Sequence, residues 1–173
     1  MDLAECRWSG HQSPCGGEAT GANPTERGTH GTTRRVLTDG QGIPLAVVVA
    51  GANRHDMKLL ATTLEAVVIE RPEPTDETPQ HVCADKGDDD AECREEAARQ
   101  EYIAHLRSRG EERQETQAIP GYRARRWVVA VCHAWFNRFR KILVRFEKTL
   151  ATYLALLQLA CASIVLKRAD VFR

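Results

Sequence analysis

The sequence predicts an α/β fold, a mixed sheet flanked by helices. Three observations predict it. Asp39-Gly40-Gln41-Gly42 is a hairpin signal between the runs Arg34–Thr38 and Ile43–Ala50. The second run contains PLAVVVAG, nearly continuous in apolar residues, as expected of a strand covered on both faces. After the hairpin, helical and extended patterns alternate, which places helices on both sides of one sheet.

The elements follow in order. Residues 1–33 are rich in Gly, Ser, Thr and Pro without sustained periodicity, and read as an irregular arm. The hairpin comes next. Asp56 to Ile69 puts Met57, Leu60, Leu64 and Val68 on one helical face. ERPEPTDETPQ, with three prolines, is a surface loop. His81 to Ala84 is a short strand that ends at Asp85. Asp88 to Gln100 is acidic and compatible with a helix, and Tyr102 to Leu106 is a further strand. Glu111 to Pro120 is a polar loop. Two helices finish the chain, Arg123 to Lys148 and Leu150 to Leu166. The division expected is an arm over 1–33 and a catalytic-type domain over 34–168.

A chain of 173 residues suits one domain with a substantial core. Its 24 basic and 24 acidic residues balance, but unevenly along the chain. Residues 1–100 hold ten basic against eighteen acidic groups, a net of −8, and residues 101–173 hold fourteen against six, a net of +8. A polyanion is the partner expected of the basic half. The six cysteines are dispersed with no CxxC pair, and MDLAECRWSG has no apolar signal region, so reduced cytosolic thiols are expected. Cys6, His11 and Cys15 imitate part of a zinc site but lack an evident fourth ligand. Thr152 to Leu166 reads as too short and too interrupted to cross a bilayer, so no membrane partner is expected.

Two places carry possible chemistry. Asp85 stands where a strand delivers a carboxylate at its C-terminal end, and a hard divalent cation prefers such oxygen ligands. The alternative is that ADKGDDD is a solvated acidic turn at the start of the next helix. His55 and Asp56 in GANRHDMK have an equally plain reading, a loop histidine and a helix N-terminal carboxylate. The second place is the basic stretch. Residues 123–148 hold eight basic residues and a single acid, Glu147. On a helical wheel Trp127, Val131, Trp135, Phe139, Ile142 and Phe146 form one apolar stripe. Arg123, Arg126, His133, Asn137 and Lys141 fall on the opposite side with Lys148, a face suited to a phosphate backbone. Trp135 and Phe139 are expected in the core and not as base-stacking platforms. Ala130 is a neutral residue in the middle of the cationic face.

Several strings in this order resemble a known family. NPTERGTHGTTRRVLTDGQGIPLAVVVAGANRHDMKLL, RPEP, CADKGDDDAECR, HLRSRGEE and ARRWVVAVCHAWFNRFRKILVRFEK look like the catalytic half of bacterial insertion-sequence transposases. The nearest group is the IS-five-like branch of the IS-four superfamily. The resemblance spans about residues 12–166. It implies a ribonuclease-H-like mixed sheet, incomplete here at its N-terminus, and a DDE site holding two Mg²⁺ or Mn²⁺ ions roughly 3.5–4 Å apart. The three acids of the family come from the first strand, a later strand and the long C-terminal helix.

Carried onto this sequence, the middle acid is Asp85 in CADKG, the one catalytic and metal-binding residue retained. The tyrosine usual after the glycine is replaced by Asp88. The final glutamate falls three positions after Trp127, in RWVVAV, where Ala130 stands. Counting back from Gly16-Gly17 puts Arg7 where the first aspartate belongs. The function expected from the resemblance is DNA transposition, in a truncated copy without strand-transfer activity and with impaired metal binding. Its remaining competence would be DNA binding through Arg123, Arg126, Arg138, Lys141 and Arg145. Of these, Arg126 and Lys141 share the face of Ala130, while Arg138 and Arg145 lie nearer the apolar stripe, with contact to other protein elements as the alternative. The other readings are a non-catalytic DNA-binding or interaction remnant that associates with an intact transposase or with itself, and a small metal-dependent nuclease using Asp85 and Asp88–Asp90. A bacterial cytoplasmic location is expected, with the nucleoid as the site when DNA is bound.

Overall fold

The computed structural model describes residues 2–24, 26–54, 59–84, 91–106 and 126–169, with 2–9, 105–106 and 126–127 described through their backbone. The strands are β1 (Asp2–Gln12), β2 (Gly21–Ala22), β3 (His30–Asp39), β4 (Pro44–Gly51), β5 (His81–Ala84) and β6 (Ile103–Leu106). The helices are α1 (Leu60–Glu65), α2 (Ala91–Arg99), α3 (Arg126–Phe136) and α4 (Leu150–Arg168), with a short 3-10 turn at Arg140–Ile142.

The strands form one mixed sheet in the order β2–β3–β1–β5–β6, with β4 also paired to β3. β3 runs antiparallel to β1, β2 and β4. β5 and β6 lie on the far side of β1 and run parallel to it and to each other. Successive residues of a strand point to opposite faces, and β3 shows both faces covered. Leu37 joins Leu45, Leu60, Leu64, Val82 and Ala97 on the side of α1 and α2. Val36 joins Val49, Phe136, Ile142, Tyr153 and Leu157 on the side of α3 and α4. The protein is therefore a mixed α/β structure with helices on both faces of its sheet.

The hairpin forms as its residues dictate. Asp39 Oδ1 accepts from the amides of Gln41 and Ile43 at 2.8 and 2.9 Å, and Gly42 takes the left-handed conformation at φ 85. β5 coincides with the expected strand, and β6 and α2 fall within their expected segments.

Three segments differ from expectation. Residues 2–12, read as irregular, are the central strand β1. A central strand is specified by backbone bonds to both neighbours, here β3 and β5, and those need no apolar alternation of its own. α1 ends at Glu65, well short of Ile69: Leu60, Thr63 and Leu64 are its buried residues, while Val68 is 84% exposed and has nothing to pack on. The long basic helix is broken at Phe136. Phe139 is extended (φ −90, ψ 93), and the amide of Arg145 reaches the Gln12 carbonyl at 2.9 Å. A straight continuation would carry Ile142 and Arg145 off the sheet; the break seats both in the core.

α4 begins where Glu18 Oε2 accepts from the Leu150 amide at 2.8 Å, while the Glu18 amide donates to the Lys148 carbonyl. Gly17, at φ 117, lies against the Lys148 backbone where a Cβ would collide, so the approach requires glycine. α4 has 19 residues, more than the stretch Thr152 to Leu166 read from the sequence, and an 18-residue window of it, with a mean hydropathy of 1.7, is long and apolar enough to cross a membrane by length and composition alone. Tyr153, Leu157, Ala160 and Ile164 are nonetheless buried at steps of three or four, on the sheet.

Candidate active site and DNA-facing surface

The parallel pair β1 and β5 defines the candidate catalytic position. Asp2 pairs with His81, Leu3 with Val82, and Cys6 with Ala84. Three steps on β1 match two on β5, and the same stretch is irregular against β3, where Ala4 faces Thr38 and Arg7 faces Val36. One extra residue is thus accommodated in the central strand, felt in both ladders. Bulges of this kind re-aim side chains and concentrate next to active sites; the sequence offered no sign of it. Beyond the Cys6–Ala84 pair, the next position on β1 is Arg7, and the next after β5 is Asp85, which lies outside the described residues, as do His55, Asp56 and Asp88–Asp90. The backbone register accordingly brings position 7 beside the end of β5, where a first and a second acid would have to meet.

α3 packs across β1 and β3. Val128, Val129, Cys132, His133 and Phe136 are buried in it, and Ala130 is exposed. The third position of the expected triad therefore presents a methyl group at the surface of the helix that crosses the central strand.

The expected cationic face is divided by the break. His133 is 9% exposed, its ring tilted against Phe136 at 6.5 Å, so it belongs to the core side of α3. Asn137 is exposed in the turn after the helix, its amide donating to the His133 carbonyl. Lys141 is exposed in the 3-10 turn and ion-paired with Glu147 at 2.9 Å. Burial works against the Glu147 carboxylate, but Lys141 and the local backbone amides outweigh it and hold its pKa below the usual range. Arg126 opens α3, and Arg123 lies outside the described residues.

Arg145, nearer the apolar stripe on the helical wheel, is fully buried and contacts other protein elements instead of facing DNA. Nη1 donates to the Ala19 carbonyl at 3.2 Å and to Thr32 Oγ1 at 3.1 Å, Nε donates to the Glu147 carbonyl at 3.0 Å, and the guanidinium lies 5.0 Å from the Tyr153 ring centre. Sequence reasoning also missed Arg34 and Arg35, both buried on β3. Arg34 bonds the His11 ring, reaches the Ile142 carbonyl at 3.5 Å and stands 5.6 Å from the Phe136 ring centre. Burial lowers the pKa of Arg34 and pushes that of Tyr153 up. His11 is held down to about 4, first by burial and then by the Arg34 charge. Burial also raises Cys132 to about 12 and Cys161 to about 11, which keeps both thiols neutral and poor nucleophiles. No periodicity marks an arginine as buried; only its partners do.

One mixed sheet, with helices on both faces and one of them crossing its central strand, describes an α/β fold. The family model described as the transposase DDE domain matches residues 7–165, and the chain belongs to that family. It is similar to a Burkholderia cepacia protein, a candidate transposase for insertion sequence element IS402, with 34% identity over 161 residues, 87% of this chain and 72% of that protein. The insertion-sequence assignment thus stands on this similarity as well as on the motifs.

The family implies divalent metal ions and DNA. The residues at the three positions do not fit a pair of such ions. A hard cation takes oxygen ligands, while Arg7 supplies a positive charge and the exposed Ala130 no donor at all. Among the described residues no group of three or more His, Cys, Asp or Glu side chains could hold a metal.

Proposed function

We propose that this chain is an insertion-sequence transposase domain of ribonuclease-H-like architecture that holds DNA but performs little strand transfer. Three antiparallel strands, two parallel strands beyond the first, and a helix across that first strand support the architecture. They are the elements from which the family's three acids come. The observation that carries the catalytic part of the reading is the register: Arg7 follows Cys6 where Asp85 follows Ala84. Where the family carries an acid at that position, a guanidinium brings a positive charge, which disfavours Mg²⁺ or Mn²⁺. DNA would be held by Arg123, Arg126, Asn137 and Lys141, in the cytoplasm and on the nucleoid.

Nicking of supercoiled plasmid with Mg²⁺ or Mn²⁺ tests the reading. The natural chain is expected to retain plasmid at low salt and leave it closed. Arg7→Asp combined with Ala130→Glu is expected to nick it, and Asp85→Ala added to that pair to stop it. Vigorous metal-dependent nicking by the natural chain, abolished by Asp85→Ala, would instead establish the small nuclease.

A second reading, association with an intact transposase or a second copy, is favoured by the outer side of α4. Leu159 is 66% exposed and Val165 and Leu166 38% each. Sedimentation of the chain alone and mixed with an intact relative separates the two.

A further inference from the structure

α3 and α4 end side by side, and the groove between their C-terminal ends has a composition unlike the rest of the surface. It measures about 260 Å³ and is lined by Trp135, Phe139 and Ile164 with Arg138, Lys167 and Arg168. Trp135 and Phe139, expected to be plain core residues, are only partly buried: they pack on the α3–α4 cluster from one side and line the groove from the other. Ile164 is buried behind them. The three cations are exposed, and among the described residues no carboxylate lines the groove.

Two effects oppose each other there. Helix C-terminal ends each carry about half a negative charge, which disfavours an anion. Three full positive charges exceed the two half-charges, leaving the groove at a net of roughly +2. Part of the helix-end charge is also met locally, since the amides of Arg138 and Ala169 donate to the carbonyls of Trp135 and Val165. An anion is therefore favoured. A bare phosphate would use the rim and leave the aromatic floor in water. The ligand that satisfies both has a flat apolar body and an attached negative charge. Arg168 already lies 5.1 Å from the centre of the Trp135 ring, a cation–aromatic contact that a stacking group can share or displace at an exposed site.

We propose that this groove binds one unpaired nucleotide of a DNA strand, its base on Trp135 and Phe139 and its phosphates at Arg138 and Lys167. The proposal rests on the reading of the chain as a DNA-acting domain and adds a single-strand site to it. The groove lies on the other flank of α3 from the catalytic position: at 100° per residue, Trp135 is about 140° around the helix from Ala130. A duplex presents phosphates but keeps its bases stacked, and so cannot fill a space this small and apolar. Aromatic platforms in cationic grooves are how proteins hold single strands without reading sequence.

The test uses the full chain and its tryptophan fluorescence, titrated with an eight-nucleotide thymidine strand, an abasic strand of equal phosphate number, and a sixteen-base-pair duplex. The thymidine strand is expected to quench Trp135 and to bind about ten-fold more tightly than the abasic strand. Trp135→Phe should keep the preference and lose most of the quenching. Arg138→Gln and Lys167→Gln, both at exposed positions, should each flatten the salt dependence of binding to the thymidine strand by about 0.7 in log–log slope. Equal affinity for the thymidine and abasic strands overturns the proposal, and so does an unchanged salt slope in both glutamine variants. If the duplex binds while the thymidine strand shows no advantage over the abasic one, the single-strand site falls and the DNA-acting reading stands. If no DNA binds, both fall. Trp135→Ala is not required, so a variant that fails to fold does not obstruct the result.

Discussion

Acidification from pH 7.5 to 5.0 is expected to destabilise this protein through one side chain, His11. Its Nδ1 lies 3.1 Å from the Leu143 carbonyl, and the ring also meets the buried Arg34 guanidinium. A neutral ring satisfies both: Nδ1–H donates to the carbonyl and Nε2 accepts from the arginine. An imidazolium could do only the first, and would face a cation. The folded pKa is accordingly about 4 against an ordinary 6.5, through burial first and Arg34 second. The unfolded chain takes up its proton near pH 6.5 and the folded chain only near 4. The contribution is therefore fully present above pH 6.5 and is lost as pH falls from there towards 4. At pH 5 the loss comes to roughly 2 kcal/mol, a ceiling because the ring keeps some exposure. For a chain of this size that corresponds to about 4–8 °C in Tm. Thermal melts of the natural chain and of His11→Gln at the two pH values provide the assay. Glutamine keeps an N–H for Leu143 and an oxygen for Arg34 but does not titrate, so the variant should lose less stability by up to that difference. Equal losses in the two proteins would refute the account of His11.

Two further perturbations address the core on the α3–α4 side. Arg145→Met keeps much of the side-chain volume but leaves the Glu147 carbonyl and Thr32 Oγ1 without the guanidinium and the Ala19 carbonyl with Thr32 Oγ1 alone; a loss of about 3 kcal/mol in urea denaturation is expected. A change under about 1 kcal/mol would mean that the cost of burying the guanidinium cancels its bonds. Phe136→Ala, at a fully buried position, should cost about 3–5 kcal/mol and Phe136→Leu much less, read in the same experiment. Similar losses for the two would show that the Arg34 contact on the ring, and not filled volume, sets the energy.

What was legible in the sequence was local. The β3–β4 turn could be read because one aspartate and two glycines specify it, and the bonds of Asp39 to Gln41 and Ile43 are made within five residues. β5 could be read because an apolar run bounded by polar residues has few other uses. The motifs that mark the family could be read for the same reason, each being a contiguous string. β1 could not, because its partners lie about 20 to 35 residues away in β3 and about 80 away in β5, and they define it more than its own residue pattern does. The basic helix misled because its heptad-like spacing of aromatics continues past Phe136, while the chain turns there to meet the Gln12 carbonyl.

The sequence by itself determined the α/β class, the hairpin and the transposase DDE family, since each depends on residues taken in order. Only the tertiary structure decided which of those residues meet. It put Arg7 in register beside the end of β5, exposed Ala130 on α3, drew His133 off the expected DNA face into the core, and buried Arg145. It also closed an aromatic groove between two helix ends. The physical reason is that burial and pairing are set by what lies opposite in space. A guanidinium is a DNA contact on an open helix and a core bridge when a carbonyl 126 positions earlier in the chain and a hydroxyl 113 positions earlier fold against it.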